Sequence, residues 1–392
     1  MRCFVSFAIT AMFALSAAGA RAQYCEQQVG SGVPDPTFNA LFTQDGPGTG
    51  NEPAGSAGWT GADSTYSRAL PDGRVLFFFS DSFLASSPVP NGATVVPDTR
   101  MRTNPIFQGH NSIVALNADG SLTTTYGGDA LNPTSLFVPT NSNDLYWMGD
   151  SVVVQTSPSV YQLYLFLLEF NTSTFAYVGS SLATLSVPDL SVQSVQPLTS
   201  EGGVEWGSAI LQQGQTLYVY GMEDLGAGKY PHMAKLAVSN LANPSAWQFW
   251  NGRAWVSGAT NSTRIIGAPD SISNEYNVNQ IHADKGSSFV LTTMDTSVPY
   301  GTWQNIVLYF SCSPQGPWSP KQVVYATPET GQKDQPGLGT LLTYNPHAHF
   351  EFAGNGAVLI SYDLNTTQGD DLIYADNYRP KFIRVPIAGL KP

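Results

Sequence analysis

Basic residues are scarce in this chain: 17 Lys and Arg stand against 29 Asp and Glu, for a formal net charge of −12. Such a balance repels phosphate backbones and anionic headgroups, so nucleic-acid and membrane-surface partners are excluded as primary roles. Cysteine is rarer still, at three residues, and neither the cysteines nor the five histidines fall at zinc-ligand spacing. No metal and no cofactor is expected. Beyond the N-terminus there is no long apolar run to span a membrane. Sustained helical periodicity is also missing, which removes helix bundles and α/β folds.

The N-terminus itself carries Arg2, an apolar stretch from Phe4 to Ala18, and Ala20-Arg21-Ala22. That layout is a secretory signal peptide, residues 1–22, cut after Ala22. The mature protein is read as secreted, extracellular and monomeric, and it becomes more acidic as Arg2 and Arg21 leave. Cys3 leaves too. Cys25 and Cys312 remain as an even pair in an oxidising compartment and are expected to form a disulfide, two buried thiols being the alternative. Residues 23–57 are rich in Gly, Pro and Asn and read as a wrapping segment. Residues 58–392 read as one domain.

What the chain has in abundance is turn formers and aromatics: 37 Gly and 27 Pro, with 20 Phe, 18 Tyr and 8 Trp. These suit an all-β protein, and aromatics serve both as core and as sugar-stacking platforms. The clearest unit runs from Gly61 to Phe83, where Leu70-Pro71-Asp72-Gly73-Arg74 turns a polar strand into the apolar run Val75–Phe79. Antiparallel pairing brings Asp63 and Asp81 to the same open end. Four more units repeat this plan, entering at Asp150, Glu205, Glu275 or Asn277, and His347 with His349, and leaving at Glu169, Asp224, Asp295 and Asp363. Five repeats, each with material for about four strands, predict a five-bladed β-propeller. Two joined β-sandwiches would account for the strands but not for the recurrent spacing of acids.

In a propeller the blade entries converge on one mouth of the central channel. Carboxylates from different blades would then face each other, the arrangement that glycoside hydrolysis requires of its acid and its base or nucleophile. Close carboxylates and a low-dielectric wall, such as Trp206 beside Glu205, raise proton affinity. The expected catalytic groups are Asp63, Glu205, Asp150 and Asp81. Trp206, Trp147, Tyr276, Glu275, Asn277, His347 and His349 are expected to bind substrate, a polysaccharide or oligosaccharide. The exit acids recur in every unit and read as strand-end structure, apart from Asp81, which faces Asp63. His110 and His232 are weaker candidates. A non-catalytic lectin would need equivalent pockets, which the unequal entries do not provide, and a polysaccharide lyase is kept open by the two histidines of the fifth unit. Sequons at Asn171, Asn261 and Asn365 say little about function.

Trp59-Thr60-Gly61-Ala62-Asp63, Leu70-Pro71-Asp72-Gly73-Arg74 and Phe79-Ser80-Asp81-Ser82 together resemble the opening blade of the propeller family catalogued as domain of unknown function 4185. Ser313-Pro314-Gln315-Gly316-Pro317-Trp318 and the stretches Leu359–Asp363 and Tyr378–Phe382 resemble its last two blades. The resemblance spans about Trp59 to Val385. It implies endo-acting cleavage of D-arabinan, and the wider clan, glycoside hydrolase families 43, 62 and 32, implies action on furanosides and related glycans. The clan pattern of Asp, Asp and Glu in the first three blades falls on Asp63, Asp150 and Glu205. In the closer family an acid pair within the opening blade falls on Asp63 and Asp81.

Overall fold

The computed structural model describes residues 24–43, 46–47, 58–84, 107–198, 201–333 and 339–391. The predicted leader, residues 1–22, lies outside them. The described chain forms a five-bladed β-propeller whose blades are antiparallel sheets laid down in chain order. The first blade takes its strands from Tyr66–Ala69, Val75–Phe79, Ser112–Leu116 and Leu122–Thr125. The second begins at Asp144–Ser157, the third at Glu205–Gln213 and the fourth at Asn277–Ala283. The fifth begins at Leu341–Gly354 and continues through Ala357–Thr366 and Lys381–Pro386.

The N-terminal segment completes the ring. Val33–Pro34 pairs antiparallel with Lys381–Pro386 and so supplies the outer strand of the fifth blade. Next to it Asp35 caps the short helix Pro36–Leu41 through a 2.9 Å bond to Phe38 N, while its other oxygen accepts from Arg384 Nε at 2.7 Å. The expected disulfide is present: Cys25 and Cys312 lie 5.0 Å apart at Cα and tie this segment to the fourth blade across 287 residues. The described part of the N-terminal segment is thus built into the propeller.

The strand Val75–Phe79 is apolar on both faces because its blade is covered by two neighbours. In Val75–Phe79, Leu76 and Phe78 pack with Met148, Leu163 and Leu165 of the second blade. The alternate residues Phe77 and Phe79 pack with Leu359 and Phe382 of the fifth. Period-two alternation therefore sends successive aromatics into different cores. Further clusters join second to third, third to fourth and fourth to fifth blades. Closing this ring gathers the hairpin ends of the five blades around common mouths.

The opening hairpin has the expected turn. Gly73 adopts φ 91°, and Leu70 N donates to Arg74 O at 2.8 Å. Its open end is irregular: Ser64 and Thr65 both have positive φ, 76° and 40°. Asp363 clamps this kink from the fifth blade, accepting from Ser64 N at 2.8 Å and Thr65 Oγ1 at 2.6 Å. Consecutive left-handed residues are costly, and the clamp offsets that cost.

Candidate active site

At one mouth lies a cleft of about 860 Å³ lined by residues from all five blades. Four of the expected acids open onto it: Asp63, Asp81, Glu205 and Glu275, together with Trp147. Gly61 pairs with Phe83 and Ala62 with Ser82, which sets Asp63 and Asp81 side by side. Tyr344 of the fifth blade donates its hydroxyl to Asp63 Oδ2 at 2.9 Å, and the Tyr378 hydroxyl bonds the same carboxyl. Asp63 Oδ1 is enclosed and takes no hydrogen bond among the described residues. Burial, reinforced by the charge of Asp81, pushes Asp63 up to about 7 against the two tyrosine hydrogen bonds.

Asp81 is held by two N–H groups on a single oxygen. Trp147 Nε1 donates to Oδ1 at 3.0 Å, and His110 Nδ1 lies 2.7 Å from the same atom. The hydrogen bond to Asp81 in turn raises the His110 pKa. Across the cleft, Glu205 is buried and also pushed up to about 7, chiefly by burial, with Asp224 adding to the rise. Asn274 Nδ2 donates to Glu205 Oε2 at 3.3 Å and to Asp224 Oδ2 at 2.8 Å, while Lys229 pairs with Asp224 at 3.1 Å.

Glu275 reaches the cleft floor. Its Oε1 accepts from Ser64 Oγ at 2.8 Å, and burial followed by the charges of Asp363 and Asp63 drives its pKa well up. Burial therefore disfavours the charged form of Glu275 and favours the form that can donate a hydrogen bond. His347 Nε2 stands 3.8 Å from Glu275 Oε2.

Six expected site residues are not at the cleft surface, and their placement corrects the sequence reading. Asp150 is buried beneath it, where Oδ1 accepts from Arg68 at 2.8 Å and Oδ2 from Ile210 N at 2.9 Å. The groups that act on Glu205 are Asn274, Asp224 and Lys229, not Asp150. Trp206 is fully buried edge-on to Phe249, with centroids 5.2 Å apart, in the core between second and third blades. Tyr276 is likewise buried and donates to Gly221 O at 3.1 Å. Asn277 Oδ1 accepts from Ala348 N and joins the fourth and fifth blades. His347 and His349 are wholly buried along the channel, and burial depresses both, His349 to about 3, so both are neutral. His349 bonds Ser67 and Ser361 at 2.7 and 2.9 Å. Entry position alone does not distinguish a side chain facing the mouth from one facing an inter-blade core.

Sequence reasoning missed Tyr344 and Tyr378, the hydrogen-bond partners of Asp63. It also missed Asn274, although this residue directly precedes Glu275, and it set His110 aside. Tyr344 and Tyr378 lie far along the chain in a blade that meets the first only after ring closure. Among the described residues, no group of three or more His, Cys, Asp or Glu could hold a metal ion.

Residues 54–387 match the family described as Domain of unknown function (DUF5005). The chain belongs to this family. The matching family is DUF5005, whereas the opening-blade motifs resemble domain of unknown function 4185. No curated protein matches this DUF5005 chain. Among solved structures it is similar to a candidate hydrolase from Bacteroides ovatus, with 19% identity, a TM-score of 0.69, and coverage of 94% of this chain and 93% of that one. It also resembles an exo-β-1,3-galactanase from Phanerochaete chrysosporium, at 11% identity and TM-score 0.46, over 83% of this chain and 60% of that one. An α-L-arabinofuranosidase from Podospora anserina matches at 10% identity and TM-score 0.42, over 92% and 97%. At these identities the likeness is one of fold.

Proposed function

We propose that this DUF5005 chain is a secreted glycoside hydrolase that cleaves a furanose-containing, arabinan-like polysaccharide. One observation carries the reading. Asp63 and Glu205 reach the same cleft from the first and third blades, each with its proton affinity raised to about 7. Near neutral pH one can hold a proton while the other is ionised, which glycosidic cleavage requires.

Glu205 donates its proton to the leaving glycosidic oxygen as the C–O bond breaks. Asp63 acts as base on a water or as nucleophile at the anomeric carbon, its anion steadied by the hydroxyls of Tyr344 and Tyr378. Asp81, fixed by His110 and Trp147, tunes Asp63 from alongside. The furanose preference rests on the resemblance of the opening blade. Export rests on the N-terminal leader pattern and is consistent with the Cys25–Cys312 disulfide.

The test is hydrolysis of an arabinan panel by the mature protein and by Asp63→Asn and Glu205→Gln. Each substitution should lower kcat by roughly 10²–10⁴-fold, the usual contribution of a general acid or base. Unchanged turnover in both variants would overturn the reading.

A further inference from the structure

Four aromatic side chains lie on the cleft, Phe175, Trp147, Tyr300 and Trp303, and of these only Trp147 has a part in the chemistry just described, through its bond to Asp81. They form two pairs. On the second blade, Phe175 stacks on Trp147, with centroids 6.0 Å apart and planes 11° from parallel. Beyond the first strand pair of the fourth blade, Tyr300 stands edge-on to Trp303 at 5.0 Å. The inner ring of each pair is anchored: Trp147 Nε1 bonds Asp81, and Trp303 Nε1 donates to Val298 O at 3.0 Å. The outer rings are exposed, Phe175 by 59% and Tyr300 by 72%.

Phe175 is also held in an unusual backbone state. Its φ is 53°, in the left-handed region, at the tip of the turn closed by Phe175 N to Asn171 O at 2.8 Å. A bulky residue seldom adopts that conformation or leaves its ring in water without compensation. Held in this way at the cleft, the exposed ring is placed to stack on the face of a sugar.

The order of blades supplies the direction. Consecutive blades adjoin around the ring, so the second blade lies between the first, which carries Asp63, and the third, which carries Glu205. In a ring of five blades, the chord from the second blade, which carries Phe175, to the fourth, which carries Tyr300, has the third blade on one side and the first on the other. We propose that Phe175 and Tyr300 are sugar-stacking platforms at opposite ends of a substrate track, so that glycan units lie on both sides of the scissile bond and cleavage falls inside the chain. This deepens the glycosidase reading and rests on it.

The experiment follows linear arabinan by viscosity and by reducing-end release, for the wild-type mature protein and for Phe175→Ala, Tyr300→Ala, Phe175→Tyr and Tyr300→Trp. Viscosity should fall well ahead of reducing-end release. Each alanine variant should raise KM for the polymer roughly tenfold, the value of one good aromatic stack, and each aromatic replacement should restore it. Release of single sugars from chain ends with little loss of viscosity would overturn the inference and leave the glycosidase standing. So would polymer KM values unmoved in both alanine variants. Failure of the wild type to hydrolyse any glycan would overturn the parent reading and this one with it.

Discussion

The hydroxyl of Tyr344 donates to Asp63 Oδ2 at 2.9 Å, joining residues 281 positions apart. It favours the carboxylate and so opposes the burial and the neighbouring Asp81 that lift Asp63 to about 7. Tyr344→Phe removes that donor and lets Asp63 hold its proton to higher pH. With Asp63 as base or nucleophile, the acid limb of the kcat/KM profile should move upward, and activity at pH 6 should fall about tenfold. An acid limb that stays in place would show that Asp63 does not govern it.

Glu205 couples activity to stability. Its folded carboxyl titrates at about 7 against an ordinary 4.5, so the folded state binds the proton more tightly than the unfolded chain. The favourable contribution is complete below about pH 4.5 and is lost as pH rises through 7. Glu205→Gln carries no such dependence. It should gain on the order of 3 kcal/mol over wild type at pH 8 relative to the difference at pH 4. Denaturant melts at the two pH values give the comparison, and a pH-independent difference would contradict the raised value.

Asp150 is predicted to be structural. Asp150→Asn weakens the pairing with Arg68 and leaves the acceptor for Ile210 N less favourable. Arg68 is partly exposed, so the loss should be about 2 kcal/mol, below the range for a wholly buried pair. Urea unfolding should record it while the pH profile of hydrolysis keeps its shape. A displaced profile would return Asp150 to the catalytic group.

Reduction of Cys25–Cys312 should also destabilise. The bond closes a loop of most of the chain and holds the segment whose Val33–Pro34 strand edges the fifth blade. Cys25→Ala with Cys312→Ala should cost about 2–5 kcal/mol, measured by denaturant unfolding. Wild type treated with a thiol reductant should fall to the same value. Equal stability with and without the bond would mean that ring closure is held by the strand alone.

The blade plan was legible because each hairpin declares itself locally. Pro71-Asp72-Gly73 sets a turn, the apolar run Val75–Phe79 follows it, and the same plan recurs with acids at similar spacing. Asp63, Asp81 and Glu205 were legible for the same reason, since they sit where a strand meets the mouth. Asp150, Trp206, Tyr276 and the two histidines occupy comparable positions in sequence and end up inside. A strand entry faces the cleft or an inter-blade core according to bulges such as that between Met148 and Ser151, where the strand carries one residue more than its partner. One displaced residue reverses the face that follows.

By itself, then, the sequence determined strands, turns, the number of blades, the expected pairing of Cys25 with Cys312 and the carboxylates at the mouth. All of these are written in local pattern or in composition. Closure of the ring decided the rest. It brought Tyr344 and Tyr378 onto Asp63, Asn274 onto Glu205, and Asp363 onto the kink at Ser64 and Thr65. Those contacts join residues far apart in the sequence, and only packing around a common axis gives them a distance at all.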